Sequence, residues 1–218
     1  EGFNTIDRFS NEEGSCDEVP TQSQVAVASG TTPYELGFRK AFRVTNGNQT
    51  SGAQAANFIK LTTKLEAQDV ATSGWNYKSS SSFVTLSFWV KSSVAQNFYG
   101  RLRSHDGTSQ NYPYETGSLT ADTWTKVTKI IPGNSNLAFN YDNGTGLELE
   151  WMMYRGGNTT ASGVALDTWA AYASGTRTPD QTSTWFTTND ATFEITGIQL
   201  ELGKQATPFE HEPYSQTL

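Results

Sequence analysis

The stretch Ala191-Thr-Phe-Glu-Ile-Thr-Gly-Ile-Gln-Leu-Glu-Leu202 decides how the chain is read. Phe193 and Ile195 alternate with polar residues, the period of a strand buried on one face. After Gly197 the apolar set resumes at Ile198, Leu200 and Leu202, one position out of step. A strand keeps facing one core across such a slip only by absorbing an extra residue. Glycine tolerates the backbone this requires, so a β-bulge is predicted at Thr196-Gly197. A tail follows over residues 203–218, marked by Gly and Pro and carrying Phe209 and Tyr214.

Outward from this stretch the same period recurs. In residues 83–91, Val84, Leu86, Phe88 and Val90 oppose Phe83, Thr85, Ser87 and Trp89. Residues 55–65 set Ile59, Leu61, Thr63 and Leu65 against Phe58, Lys60, Thr62 and Lys64. Residues 146–154 place Leu147, Leu149, Trp151 and Met153 inside, with Glu148, Glu150, Met152 and Tyr154 outside. Residues 97–104 put Phe98 and Leu102 opposite Tyr99, Arg101 and Arg103, and residues 37–45 put Phe38, Phe42 and Val44 on one side. Further strands are expected over 22–29, 109–115 and 123–131. Residues 66–75 are the one plausible helical turn. Residues 155–190 show no period and read as long loops with a short helical segment. Strands at regular spacing, turn signals such as Asn46-Gly47 between them and no long amphipathic helix predict an all-β fold. The expected architecture is an antiparallel β-sandwich, jelly-roll-like, over residues 1–218 as a single domain. Residues 1–22 form an N-terminal arm or edge strand anchored by Phe3, Ile6 and Phe9, and residues 203–218 a C-terminal tail.

Composition narrows the function. Of 218 residues, 12% are aromatic and only 17% charged, against roughly 25% charged in ordinary domains. Ser, Thr, Asn and Gln supply the polarity, as on extracellular and virion proteins. The net charge of −7 argues against nucleic acid as a partner, which needs a basic face, and against an anionic membrane surface. No apolar run approaches the roughly 20 residues of a membrane span. The lone Cys16 excludes an intrachain disulfide. Without an initiator Met or a signal-peptide core, the chain is expected to be part of a longer or processed one.

Catalytic chemistry finds little support. His105 lies in a His-Asp-Gly turn and His211 in an acidic tail, and neither forms a nucleophile–base or zinc-ligand spacing with Cys16. Glu148 and Glu150 read as solubilising carboxylates rather than a glycosidase pair. No cofactor is expected. Asp106 and Asp142 are weak calcium candidates in Asp/Asn-Gly turns, where turn formation explains the sequence equally well. The rings say more. Phe88, Phe98, Trp151 and Phe193 can supply a core, which leaves Trp89, Tyr99, Tyr112, Tyr114 and Tyr154 on the opposite side or in loops. Exposed rings suit sugar stacking or protein contact. Alternatively, long loops such as 155–190 cover one sheet face and bury them. Arg101 and Arg103, beside Tyr99, would hydrogen-bond a glycan or a neighbouring subunit.

Several stretches together resemble a domain of tailed-phage virion proteins, found in tail fibres and appendages. They are Ser82-Phe-Val-Thr-Leu-Ser-Phe-Trp-Val-Lys-Ser92, Ala121-Asp-Thr-Trp-Thr-Lys126 with Pro132-Gly133, Gly144-Thr-Gly-Leu-Glu-Leu149, and Thr196-Gly-Ile-Gln-Leu-Glu-Leu-Gly203 with Ala206-Thr-Pro-Phe-Glu-His211. The last is the most specific. The resemblance implies a jelly-roll sandwich similar to carbohydrate-binding modules and a non-enzymatic role at the virion surface. It implies a homo-oligomer, for instance a trimer, among other virion proteins, attached to host-surface polysaccharide. Two alternatives stand beside it: a purely structural inter-subunit module, and a carbohydrate-binding module of a polysaccharide-degrading enzyme. The shared motifs are core and turn positions, so the resemblance assigns no binding residue. The tail is expected to fold back over the sandwich or to lead into a neighbouring subunit.

Overall fold

The computed structural model of the chain describes residues 3–6 and 8–211, with side chains from residue 8 onward; Tyr214 and the tail beyond residue 211 lie outside the described residues. One antiparallel sheet contains, in chain order, β1 (Phe3–Ile6), β2 (Phe9–Gly14), β5 (Phe58–Glu66), β7 (Asn97–Ser104), β8 (Gln110–Ser118), β10 (Thr145–Arg155) and the two-residue β11 (Ala170–Ala171). Its spatial order is β1-β2-β5-β10-β7-β8-β11. The other contains β3 (Thr21–Ala26), β4 (Lys40–Thr45), β6 (Phe83–Ser92), β9 (Thr125–Pro132) and β12 (Thr192–Leu202), in the order β3-β4-β12-β6-β9. The predicted helical turn is α2 (Ala67–Thr72), and the loop after β10 holds α3 (Thr184–Thr187). A third short helix, α1 (Thr32–Glu35), has Pro33 in its first turn.

The two sheets pack face to face as a jelly-roll-like β-sandwich. Phe88 of one sheet meets Trp151 of the other edge-on with centroids 5.8 Å apart, and Phe98 meets Phe193 at 5.1 Å. These are the rings that alternation assigned to the core. Within β12, Thr196 pairs with Trp89 and Gln199 with Ser87, so three steps on one strand match two on the other. The extra residue lies at the predicted bulge, where Gly197 takes φ +61°. Leu200 thereby returns to the inward side opposite Leu86.

A second bulge was not expected, and it reorients a candidate. On β10, Met152 pairs with Lys60 but Tyr154 with Ile59, which makes Met153 the extra residue. Tyr154 turns into the core, where its ring stacks on Phe186 at 4.5 Å, and Arg155 takes the outward position opposite Phe58. Tyr112 and Tyr114 are likewise corrected. They pair with Leu102 and Gly100 on β7 and share the inward face of that strand. Both are enclosed in the core. Tyr114 fits because the facing residue has no side chain: a Cβ on Gly100 would stand 2.3 Å from its ring.

Phe38 also departs from its predicted side. It precedes β4 rather than belonging to it, and it packs with Val27 and Ala41 in a small cluster separate from the main core. Val25, Tyr34, Trp89, Trp124 and Phe209 pack against that cluster. Ala41 is offset by one residue from the inward Phe42, so the cluster covers the outer face of the five-stranded sheet. The tail closes it. Phe209 meets Phe38 edge-on at 4.9 Å, and His211 lies against the same ring at 5.1 Å. The outward side chains beyond the bulge hold the tail backbone: Glu201 accepts the Thr207 N–H at 3.1 Å, and Gln199 Oε1 accepts the Glu210 N–H at 3.3 Å. The tail, as far as residue 211, folds back over the sandwich.

Candidate functional site

The outer face of the seven-stranded sheet carries a different arrangement. Its central strands β5, β10 and β7 are neighbours, so the outward residues of three separate sequence stretches converge. Register places Lys60 opposite Met152, Glu148 opposite Arg103, and Glu150 opposite Arg101. Long side chains then reach across. Lys60 Nζ donates to Glu150 Oε1 at 2.6 Å, and Arg101 Nε donates to Glu150 Oε2 at 2.6 Å. Arg155 Nη2 lies 3.5 Å from the same oxygen. Glu148 sits 3.6 Å from Arg101 Nη2 and 3.9 Å from Lys60, while Glu12 of β2 adds a contact to Lys60 at 3.1 Å.

These charges are buried. Glu150 is 0% exposed and Arg101 1%, which corrects two expectations: the carboxylates are not solubilising, and Arg101 is not a surface contact. An isolated buried charge is costly, and only a network in which each charge is matched is tolerated. Burial pushes the Glu150 carboxyl upward. The charge and hydrogen bond of Arg101, with Lys60 and Arg155, outweigh it and hold the group well below its ordinary range. Glu148 is likewise lowered against its burial, chiefly by a hydrogen bond with His105, whose Nε2 lies 3.0 Å from Glu148 Oε2. His105 therefore does more than occupy a solvated turn.

Residues 156–182 cover this face. Gln181 donates to Met152 Sδ at 3.6 Å, Asn111 Nδ2 donates to the carbonyl of Arg177 at 2.9 Å, and the guanidinium of Arg103 stands 3.7 Å from the centroid of the Tyr172 ring. Arg101 and Arg177 approach that ring at 5.4 and 5.8 Å. Arg103, Tyr172 and Arg177 are half-buried and form the accessible part of the cluster, and the half-buried Tyr99 stands further along the same outward face of β7, opposite Met152. Between β8 and this covering loop lies a recess of about 280 Å³, lined in part by Asn111, Pro113, Ser162 and Thr176.

Of the predicted contact residues, Arg101 and Arg103 both approach the Tyr172 ring, and Tyr99 shares their outward face of β7. Trp89 is half-buried on the other sheet's outer face, beside a recess of about 320 Å³ shared with Phe38 and Phe209. Tyr112, Tyr114 and Tyr154 are in the core. Lys60, Glu148, Glu150, Arg155, Tyr172 and Arg177 were missed as members of one cluster. The outward alternation did mark Lys60, Glu148, Glu150 and Arg101, but only strand order shows that they meet. Asp106 accepts two hydrogen bonds from Asn140, through its backbone N–H and Nδ2, and Asp142 Oδ1 accepts the Gly144 N–H. Among the described residues no group of three or more His, Cys, Asp or Glu side chains could hold a metal ion. Burial raises the Cys16 thiol to about 12, away from the thiolate form a nucleophile needs.

No protein-family model matches the sequence. No curated protein matches it either. Solved structures resemble it distantly. The enzymatically active domain of tailspike protein 4 from bacteriophage CBA120 shares 10% identity with a TM-score of 0.48, over 92% of this chain and 20% of that one. The chain thus spans about a fifth of that tailspike structure. A family 11 carbohydrate-binding module from Clostridium thermocellum, in complex with a β-1,3-1,4-mixed-linked tetrasaccharide, shares 13% identity at a TM-score of 0.39, over 93% and 92% of the two chains. The N-terminal cellulose-binding domain of β-1,4-glucanase C from Cellulomonas fimi shares 8% at 0.41, over 89% and 99%. Likenesses this distant concern the layout of the sandwich and assign no ligand to this chain.

Proposed function

We propose that this domain is a non-enzymatic attachment module of a phage virion appendage, which holds a host-surface glycan on the outer face of its seven-stranded sheet. The observation that carries the reading is the accessible Arg103–Tyr172 pair, which shares the outward face of β7 with the half-buried Tyr99 and is seated on a floor of buried, mutually paired charges. Aromatic rings stack on sugar rings and guanidinium groups donate to their hydroxyls. A floor of short ion pairs holds both in place before the ligand arrives, which lowers the ordering cost of binding. Glycoside hydrolysis would instead need one carboxyl kept protonated as a general acid, and so raised in pKa. Glu148 and Glu150 are both lowered, which favours binding over hydrolysis. Each contact is weak, and several copies on an oligomeric appendage would strengthen attachment by raising the effective concentration.

Two other assignments share parts of this geometry. A carbohydrate-binding module of a polysaccharide-degrading enzyme would use the same face. A structural inter-subunit module would instead use the other outer face, where Leu36, 53% exposed, lines one recess with the half-buried Trp89. A glycan array with Tyr99→Ala, Tyr172→Ala and Trp89→Ala separates them. The reading expects the first two to lose binding and the third to retain it. Loss in Trp89→Ala alone would move the site to the opposite sheet, and absence of any glycan binding by a stable oligomer would leave the inter-subunit role.

A further inference from the structure

The cluster is not balanced. Five cations, Lys60, Arg101, Arg103, Arg155 and Arg177, are gathered there against three carboxylates, Glu12, Glu148 and Glu150, in a chain whose net charge is −7. Two further carboxylates at the margin keep their charge but bond neutral groups rather than these cations: Glu115 accepts from Asn97, and Asp180 from Thr160. The imbalance is sharpest at Arg155. It is 3% exposed, yet its Nε and Nη2 have no hydrogen-bond acceptor. The nearest carboxylate oxygen, Glu150 Oε2, already receives Arg101. Arg177, which approaches the same Tyr172 ring as Arg101, also has a buried Nε with no acceptor. Burial and the like charges of Arg177 and Arg101 pull the Arg155 pKa down to about 10, against the attraction of Glu150. A buried donor without an acceptor is costly, and the uncompensated charge of these two adjoining arginines favours an anion at the accessible edge of the cluster, where Arg103 and Arg177 flank the Tyr172 ring.

We propose that this anion is the carboxylate of an acidic saccharide, a uronic acid or a comparable sugar acid, received between the half-buried Arg177 and Arg103 beside the Tyr172 ring. The proposal rests on the glycan-binding reading above and narrows it to a ligand class. The planar fork of arginine matches a carboxylate with two parallel N–H···O bonds. The flanking recess is uncharged and mostly apolar, lined by residues such as Pro113, Val164 and Ala170, with Ser162 and Thr176 as its free polar side chains, which suits the apolar face of a sugar ring with a few hydroxyl contacts.

The test uses polygalacturonate, alginate and hyaluronan, each paired with its carboxyl-reduced neutral form, and dextran sulfate as a polyanion of different chemistry. Affinity is measured by calorimetry at two salt concentrations. At least one acidic polymer should bind about tenfold or more tighter than its neutral form, with only the acidic form weakened by salt. Arg177→Gln should remove that preference, a loss of about ten- to a hundredfold for one charge-assisted contact, while the melting temperature stays within a few degrees. Arg177→Lys should restore part of it. Equal or tighter binding of the neutral forms would overturn the inference and leave the glycan reading intact. Dextran sulfate bound as tightly as the best uronate polymer would reduce it to charge alone and overturn it. An unchanged preference in Arg177→Gln would also overturn it, and binding to none of the polymers or the array would remove both readings together.

Discussion

On the outer face of the seven-stranded sheet, Glu150 lies among Lys60, Arg101 and Arg155 beneath residues 156–182. On the outer face of the five-stranded sheet, Phe38 lies among Val27, Ala41 and Phe209 beneath the C-terminal tail. Both faces are covered by a segment with little regular structure, yet what lies beneath differs in kind. The apolar cluster is non-directional and gains from area removed from water. The charged one gains little net energy from burial, because desolvation offsets the attraction of the pairs. What it gains is geometry, since short charge-assisted bonds hold long side chains in one arrangement. One face therefore reads as a clasp that secures the chain, and the other as a prepared surface.

The strongest test of that contrast is Glu150→Gln. Removing the carboxylate leaves Lys60 and Arg101 buried without their shared partner, and such loss costs about 3–5 kcal/mol. Urea denaturation should show it; a change under about 1 kcal/mol would mean the network is hydrated rather than buried. The same pair predicts an acid limb. Both carboxyls are held below the ordinary glutamate value of 4.5, so their contribution is fully present above about that pH. It is lost as pH falls further, because the unfolded chain takes up protons that the fold refuses. Stability profiles between pH 6 and 3 should be flatter for Glu150→Gln than for the unaltered chain.

On the clasp side the effects should be smaller. Gly197→Ala forces a side chain into positive φ and places a Cβ 2.6 Å from the Phe38 ring, a cost of about 2 kcal/mol. Phe209→Ala removes the ring that meets Phe38 from the tail, about 1 kcal/mol. It should speed limited proteolysis after residue 203 without shifting the main unfolding transition by more than a few degrees. Because both act through Phe38, the double variant should cost less than the sum. Strict additivity would show that tail and bulge are independent.

Much of this was legible in the residues. The period of two located the long strands and the core rings Phe88, Phe98, Trp151 and Phe193, and the slip after Ile195 located the bulge at Gly197. The bulge at Met153 was not legible. No glycine marks it, so strict alternation sent Tyr154 outward and left Arg155 unread. Tyr112 and Tyr114 failed for a related reason: with Pro113 between them they are consistent with either face, and register against Gly100 and Leu102 decides. The site was half-visible. Lys60, Arg101, Glu148 and Glu150 were each on an outward face, but they looked like ordinary surface charges because Glu150 meets Arg101 and Lys60 across 49 and 90 residues of chain.

The sequence by itself therefore determined the all-β class, the inward face of β5, β6 and most of β10, and the bulge at Gly197, because side-chain alternation is a local property of extended backbone. Only the tertiary structure decided which outward residues meet solvent. That depends on strand order, which brings β5, β10 and β7 side by side, and on the path of residues 156–182 and 204–211. Those segments have no period to read, and their positions are set by a few hydrogen bonds and ring contacts with residues far away along the chain.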